Sequence, residues 1–468
     1  MTLEMQSIEN WLDENRSRFE KDLFSILKLA SIGTDPAFDT EVHQTADWIH
    51  QFFSSISFNS ERIETCGHPI IFAQSPQVEG APTVLVYGHY DVQPPEPLEL
   101  WETPPFEPTV RDGNVYARGA TDDKGQMLTH FFGCEAWMKT EGKLPLNVKF
   151  LIEGEEESGS GGLKELLAGV YDEKLGMPIT EKLAADIAVI SDTSQYGPGQ
   201  PAITYGLRGI YYFELRLKGP NVDLHSGSFG GSVSNPANAL SAMLAALVDE
   251  QGRIKVPGFY DGIAELSDAE RAQIDALNFD DQAYQQKLGV DALHGELGFS
   301  TLERRWVRPT FDINGLWSGY QGEGAKTVLP AEAGAKFSFR LVPGQDLSKI
   351  KAGLESILAD HCPPGIQMEL IDMHGANGVV VSLDNPFMQL AARAVEKGFG
   401  QAPVLTRTGG SIPVVLSFRE LLGIDTLLLG WGLDDDNPHS PNEKFSLDDF
   451  YRGIRSSAWL WKELAVRN

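Results

Sequence analysis

The chain has 468 residues and a formal net charge of −28, from 38 Lys and Arg against 66 Asp and Glu. A surface of that sign repels phosphate backbones and anionic headgroups, which excludes nucleic acid and membrane surfaces as expected partners. With 42% hydrophobic and 22% charged residues the composition is that of a folded globular protein, and the length admits two or three domains or one large domain with an insertion.

Residues 1–20 carry Glu4, Glu9, Asp13 and Glu14 where a secretory leader needs a basic start and an apolar stretch. Ile8, Trp11, Leu12, Phe19, Leu23 and Leu27 recur at spacings of three, four and seven, so the chain is predicted to open with one amphipathic helix. Short apolar runs bounded by Gly, Pro and Asp follow at 83–87, 147–152 and 187–190, each of a length for a strand buried on both faces. Helical patterns over 126–138 and 162–168 alternate with them, giving β-α-β-α-β and a mostly parallel α/β sheet. From about residue 201 the texture changes. Tyr211, Phe213, Leu215 and Leu217, and later Phe337, Phe339 and Leu341, alternate with polar residues as half-exposed antiparallel strands do. A helix is expected over 235–247 with Pro236 in its first turn, and Ser267 with Glu270 forms a capping box that starts another. Near Asn385 and Pro386 the first texture resumes, with a strand at 426–429 and a final helix over 450–464.

The predicted architecture is an α/β domain over 1–205 and 381–468, interrupted by a smaller α+β domain over 206–380. Cys66, Cys134 and Cys362 are widely spaced, so neither a disulfide framework nor a thiolate metal site is expected, and a reducing cytoplasm fits. No window approaches the roughly 18 apolar residues of a membrane span, so a soluble protein is expected.

His89 and Asp91 directly follow the run at 83–87, at the carboxyl edge of the predicted sheet, where α/β folds place their sites. A metal-binding imidazole commonly passes its second N–H to a carboxylate, a part open to Asp91; an ordinary strand-end hydrogen bond accounts for the same residues. Asp122 and Asp123 lie in Arg118-Gly119-Ala120-Thr121-Asp122-Asp123-Lys124-Gly125, a turn into a helix, where carboxylates either cap the helix or coordinate metal. Glu155, Glu156 and Glu157 follow the run at 147–152, and three consecutive carboxylates repel one another unless solvated or neutralised by cations. The Ser158-Gly159-Ser160-Gly161-Gly162 run is no phosphate loop, because those carboxylates would repel a pyrophosphate. Asp192 ends the next strand, and His439 sits in a loop beyond the strand at 426–429. Two histidines and several carboxylates from separate strand ends supply mixed nitrogen and oxygen ligands suited to Zn²⁺, Mn²⁺ or Co²⁺, with no thiolate, in the style of a catalytic site. The sequence has neither a Gly-x-Ser-x-Gly elbow nor a Gly-x-x-x-x-Gly-Lys loop, which argues against serine and nucleotide hydrolases.

Gly88-His89-Tyr90-Asp91-Val92-Gln93-Pro94, Gly119-Ala120-Thr121-Asp122-Asp123-Lys124-Gly125 and Glu156-Glu157-Ser158-Gly159-Ser160 resemble the M20 family of metallopeptidases, and within it the cytosolic dipeptidases that include carnosinase-type enzymes. The likeness extends through Ile203-Thr204-Tyr205-Gly206-Leu207-Arg208-Gly209, Asp223-Leu224-His225-Ser226-Gly227, Gly410-Ser411-Ile412-Pro413 and His439-Ser440, nearly the whole chain. The resemblance implies two divalent metal ions bridged by Asp122, with Glu157 and His439 on one and His89 and Asp192 on the other. It implies Glu156 as general base, with Asp91 beside it in the catalytic set, and an inserted domain that acts as a lid and forms a homodimer. His225 would then reach across the dimer to stabilise the oxyanion, while Arg340, Thr327 and Ser411 hold the substrate carboxylate. Thr408 departs from the pattern, since related eukaryotic dipeptidases carry Glu there, and it bears on recognition of the substrate's amino end.

The chemistry is consistent with those roles. A water held between two cations loses much of its affinity for its proton, Glu156 takes that proton, the hydroxide attacks the peptide carbonyl, and Glu156 then protonates the leaving amine. Arg340 suits a carboxylate because its planar guanidinium donates two parallel hydrogen bonds. It equally fits a surface charge on an alternating strand, and His225 equally fits a brace for its Gly-rich loop. The expected function is a cytoplasmic, homodimeric two-metal dipeptidase for small peptides with a free C-terminus. The alternatives are an N-acyl amino acid amidohydrolase or desuccinylase of the same family, many of which have Glu at the position of Asp192, and a non-catalytic binding module, which would be expected to have lost Glu156 or a ligand.

Overall fold

In the computed structural model, which describes residues 2–410 and 412–466, the run at 83–87 becomes the strand Thr83–His89. Its two neighbours, Asn147–Glu153 and Ile187–Ile190, are both parallel to it. All three lack polar alternation because both faces are covered: Val84, Leu85, Val86, Phe150 and Val189 are all inaccessible. The sheet runs in the order Asn59–Ile63, Ile70–Gln74, Asn147–Glu153, Thr83–His89, Ile187–Ile190, Thr426–Gly430, Ala202–Leu207. Its three central pairings are parallel and the outer ones antiparallel. The register aligns His89 with Glu153, Tyr87 with Ile190 and Ile190 with Leu428. Four parallel strands therefore end at one edge, and the segments bearing His89, Glu156, Asp192 and His439 leave from it.

The helix Lys124–Thr140 follows the Asp122-Asp123 turn and is buried along nearly its whole length. It packs on the final helix Leu447–Leu464, which Ser446 caps by accepting from the Asp449 N–H at 3.2 Å. The single N-terminal helix expected from the apolar stripe is two helices, Leu3–Glu14 and Arg16–Leu27. Asn15 divides them by turning its own amide onto the carbonyl of Trp11 at 2.8 Å, a local competition for the backbone typical of Asn. The stripe survives the break, with Met5, Ile8 and Leu12 buried on one side and Phe19, Leu23, Ile26 and Leu27 on the other.

The described chain separates into two compact units, Met1–Tyr205 with Val381–Thr406 and Ser417–Asn468, and Gly206–Val380 with Arg407–Leu416. The second holds an antiparallel sheet ordered Thr310–Ser318, Glu332–Leu341, Gly209–Lys218, Gln367–Ala376. Phe213, Leu215, Phe337 and Phe339 face a core completed by the helices Pro236–Ala245 and Leu347–His361. Arg407–Leu416, which the sequence reading left with the α/β domain, belongs to this unit: the Arg208 N–H donates to the Thr408 carbonyl at 3.3 Å, and Arg407 pairs with Glu270. Ser267 caps the helix Asp268–Asp275 as expected, accepting from the Glu270 N–H at 3.2 Å, but the Glu270 carboxylate turns to Arg407 and the Ser267 hydroxyl. Ser300 and Glu303 make the capping box with both bonds in place. Among the described residues no helix is long and apolar enough to cross a membrane.

Candidate metal centre

His89 leaves its strand with Nδ1 at 3.1 Å from the carbonyl oxygen of Asp91 and Nε2 at 3.2 Å from Asp122 Oδ1. The other oxygen of Asp122 lies 3.0 Å from His439 Nε2, and Glu157 Oε1 is 3.1 Å from that same nitrogen. Asp122 thus turns one oxygen to each imidazole. Donor atoms of His89, Asp122 and Asp192 fall within 4.8 Å of one another, as do those of Asp122, Glu157 and His439, so the two groups share Asp122.

Asp91, expected to meet His89 through its carboxylate, meets it first through its main-chain oxygen, with Oδ1 farther off at 3.4 Å. Its carboxylate instead accepts from the main-chain N–H groups of Glu156 at 3.2 Å and Glu157 at 3.0 Å. One residue therefore orients an imidazole and ties the acidic loop to the strand end. The three glutamates diverge: Glu155 accepts from the Gly162 N–H at 2.9 Å, which occupies the glycine run with a carboxylate of the chain itself.

Among the described residues, the ion-pair partners of Asp122 and Glu157 are the two histidines alone. Burial pushes the Asp192 carboxyl well above the usual range, with repulsion from Asp122, Glu156 and Glu157 added and His89 opposing. Burial also raises Glu156, again with repulsion from Glu157, Asp91 and Asp122 and with His89 opposing. Hydrogen bonds to Asp122 and Glu157 lift His439 to about 10 against burial. For His89, burial disfavours the cation, but Asp122 and Asp91 outweigh it and the ring sits well above its ordinary value. Carboxylates that crowd together with imidazoles and no thiolate form a donor set that fits divalent cations, which relieve the repulsion and take oxygen and nitrogen ligands together. The His439 loop takes a left-handed backbone conformation at three positions, with Asn437, His439 and Asn442 at φ of 55°, 59° and 61°.

Residues 85–463 match the model of peptidase family M20/M25/M40. The chain belongs to this peptidase family. Among its relatives, the Cys-Gly metallodipeptidase of Schizosaccharomyces pombe is 32% identical over 99% of both chains. Human β-Ala-His dipeptidase is 34% identical over 85% of this chain and 78% of its own. Among solved structures, an M20 family metallo-carboxypeptidase from Sulfolobus solfataricus aligns with a TM-score of 0.81 at 31% identity, covering 96% of this chain and 99% of that one. Human carnosine dipeptidase 1 aligns with a TM-score of 0.78 at 30% identity over 98% of each chain. Metallodipeptidases of the M20 family are thus similar to this chain along nearly its full length, and with the ligand-type clusters they support the use of divalent metal.

Three residues of this M20 chain that sequence reasoning left without a role support the cluster. Glu443 is fully buried. Its Oε2 accepts from the Gly119 N–H at 2.9 Å and from Arg118 Nη1 at 2.8 Å, and its Oε1 from the N–H groups of Thr121 at 2.9 Å and Asp122 at 3.1 Å. Four residues beyond His439, it clamps the loop that carries Asp122. Gln93 donates Nε2 to Glu157 Oε2 at 2.8 Å, so each oxygen of Glu157 is engaged. Lys124, which burial pushes down to about 7, donates to the carbonyls of Ile26 and Leu29 at 3.2 and 2.7 Å and anchors the turn after Asp123 to the end of the second helix. Gln93 and Lys124 lie within quoted motifs, whereas Glu443 lies beyond the quoted His439-Ser440 pair and its main-chain partners leave no trace in sequence.

The remaining predicted residues lie in the second unit. His225 ends the short strand Leu224–His225, is exposed, and accepts at Nδ1 from the Gly227 N–H at 3.1 Å. Thr327 adjoins it through its carbonyl, which accepts from the Ser226 N–H at 3.1 Å. Arg340 stands on Glu332–Leu341 opposite Ile210 and Thr310. The Thr408 hydroxyl accepts from the Gly410 N–H at 3.4 Å. Ser411 lies outside the described residues.

Proposed function

We propose that this M20 chain is a two-metal dipeptidase that hydrolyses small peptides with a free C-terminal carboxylate. The observation that carries the reading is Asp122, which faces His89 with one oxygen and His439 with the other. His89, Asp122 and Asp192 would hold one divalent ion and Asp122, Glu157 and His439 the other, with Zn²⁺, Mn²⁺ and Co²⁺ all matching the donors. When bound, such ions lower the proton affinity of water and polarise a carbonyl oxygen.

The protein's own groups do the rest. Glu156, on a loop fixed by Asp91 and with its proton affinity raised by burial, removes a proton from the attacking water and delivers it to the leaving amine nitrogen. His225 accepts at Nδ1, so the neutral ring carries its proton on Nε2 and presents a donor to the developing oxyanion. In this reading it serves the site of a second copy in a homodimer formed by the inserted unit. Arg340 takes the free carboxylate, a part that the family resemblance also assigns to Thr327 and Ser411. The relatives named Cys-Gly and β-Ala-His dipeptidase support the substrate class, and the widely spaced free cysteines are compatible with a cytoplasmic enzyme.

Chelator-stripped protein restored with Zn²⁺ or Mn²⁺ should cleave Cys-Gly, β-Ala-His or Leu-Gly in a metal-dependent manner. A preference for N-acetyl or N-succinyl amino acids would replace this reading by an amidohydrolase, and no turnover with either metal would favour a non-catalytic module.

A further inference from the structure

One cavity of the second unit gathers cations in a chain that is strongly acidic. Its volume is about 310 Å³, and it is lined by Arg208, Arg304, Arg305 and Arg308, with His294 and Thr310 in its wall. Arg308 is matched by a carboxylate, that of Glu296, through two bonds of 2.7 Å. The other three are not: among the described residues none of them forms an ion pair. Arg208 directs Nε and Nη1 to the main-chain oxygens of Gly409 and Arg308, at 3.4 and 3.3 Å. Arg304 donates to the carbonyl of Glu296 at 3.0 Å, and Arg305 lies over the Tyr284 ring at 5.1 Å. Asp312, the remaining acid of the lining, is exposed and takes the Thr310 hydroxyl at 3.1 Å.

Guanidiniums gathered in a partly desolvated cavity repel one another, and an anion that completes the set removes that cost. Burial lowers Arg208 to about 10, Arg340 and Arg305 add to the lowering, and Asp312 opposes it in part. The cavity also adjoins a residue with an assigned part. Thr310 is the strand partner of Arg340. Arg208 lies so close under Gly409 that a Cβ there would come within 2.6 Å of its Nη2, at the loop that leads into Ser411.

We propose that this arginine-lined cavity receives a second carboxylate of the substrate, on the side chain of its C-terminal residue, so that peptides ending in Asp or Glu are preferred over those ending in Asn or Gln. The inference rests on the dipeptidase reading, with Arg340 on the α-carboxylate. A side-chain carboxylate pairs with a guanidinium through charge-assisted, two-pronged bonds, whereas the isosteric amide brings an N–H donor toward cations that have none to accept it.

The test is steady-state kinetics on Ala-Glu against Ala-Gln and Ala-Asp against Ala-Asn, with the metal-loaded wild type and Arg305→Gln and Arg304→Gln. Neither arginine side chain is placed in the catalytic machinery, and Arg305 makes no side-chain hydrogen bond to the backbone among those described. The acidic peptides are expected to lead by about tenfold or more in kcat/KM, through KM, as one charge-assisted bond supplies. Arg305→Gln should erase most of that lead while Ala-Gln turnover is kept, which also shows that the variant folds, and Arg304→Gln should reduce the lead. Inorganic phosphate should compete more strongly with Ala-Glu than with Ala-Gln. Equal cleavage of each acid and its amide overturns the proposal and leaves the dipeptidase reading standing, as does phosphate inhibition that is equal for both peptides. Cleavage of none of the four overturns both.

Discussion

Glu443 is a single side chain that fixes the loop carrying Asp122. Its two oxygens hold three main-chain N–H groups and Arg118, so replacing it leaves a buried cation and a slack Asp122 loop together. Glu443→Gln should weaken metal binding by about 10- to 100-fold, the usual effect of a group that orients ligands, as read by calorimetric titration of stripped protein; unchanged affinity would remove Glu443 from that part. Glu156 is expected to behave in the opposite way. Glu156→Ala should keep its metal while turnover falls by about 10² to 10⁴, the range for a general base, and near-normal turnover would exclude it. His89, the glutamates at 155–157 and Asp192 stand out in the sequence because each follows an apolar run, whereas Asp122 and His439 stand out only through the motifs that contain them. Glu443 and the use that Asp91 makes of its main chain were not legible, because those bonds run through backbone groups that any sequence supplies, and Gln93 was not, because its bond reaches a glutamate distant in sequence, Glu157.

At the scale of elements, the helices Lys124–Thr140 and Leu447–Leu464 form the seam behind the site. His130 lies in it, fully buried, between the hydroxyls of Ser191 at 2.8 Å and Ser457 at 2.5 Å. A neutral ring can donate to one hydroxyl and accept from the other, and burial pushes the pKa down to about 3. The sign follows from linkage. The folded ring stays neutral while an unfolded one takes a proton near 6.5, so this contribution to stability is intact above 6.5 and is lost as pH falls through that window toward 3. Each pH unit in the window costs about 1.4 kcal/mol. The thermal midpoint of the wild type should drop steeply between pH 6 and pH 4, about where His130→Gln, which does not titrate, should show a shallower slope; parallel slopes would contradict the assignment. The central strands and these two helices were legible because burial on both sides writes a continuous apolar run. The hairpin of Asn59–Ile63 with Ile70–Gln74 was not, since its outer strand is partly exposed and carries Glu61 and Arg62.

At the scale of the whole molecule, the chain interrupts one unit with another, and the return at residues 407–416 is the part that alternation and apolar runs do not reveal. That segment is assigned by the contacts of Arg407 and Thr408 rather than by a pattern of its own. The assembly is where the proposed role of His225 becomes testable. His225→Ala should lose turnover and keep its metal, and mixing it with a metal-ligand variant such as His439→Ala should restore activity if His225 serves a second copy. A mixture as inactive as its components would place its action within one chain.

The proposed hydrolysis depends on two ions sharing Asp122. Stripped protein titrated with Mn²⁺ or Zn²⁺, with bound metal and hydrolysis of a dipeptide followed together, should saturate at about two ions per chain and reach full activity only with the second. Full activity with a single bound ion, or dipeptide cleavage by the stripped protein, would contradict it.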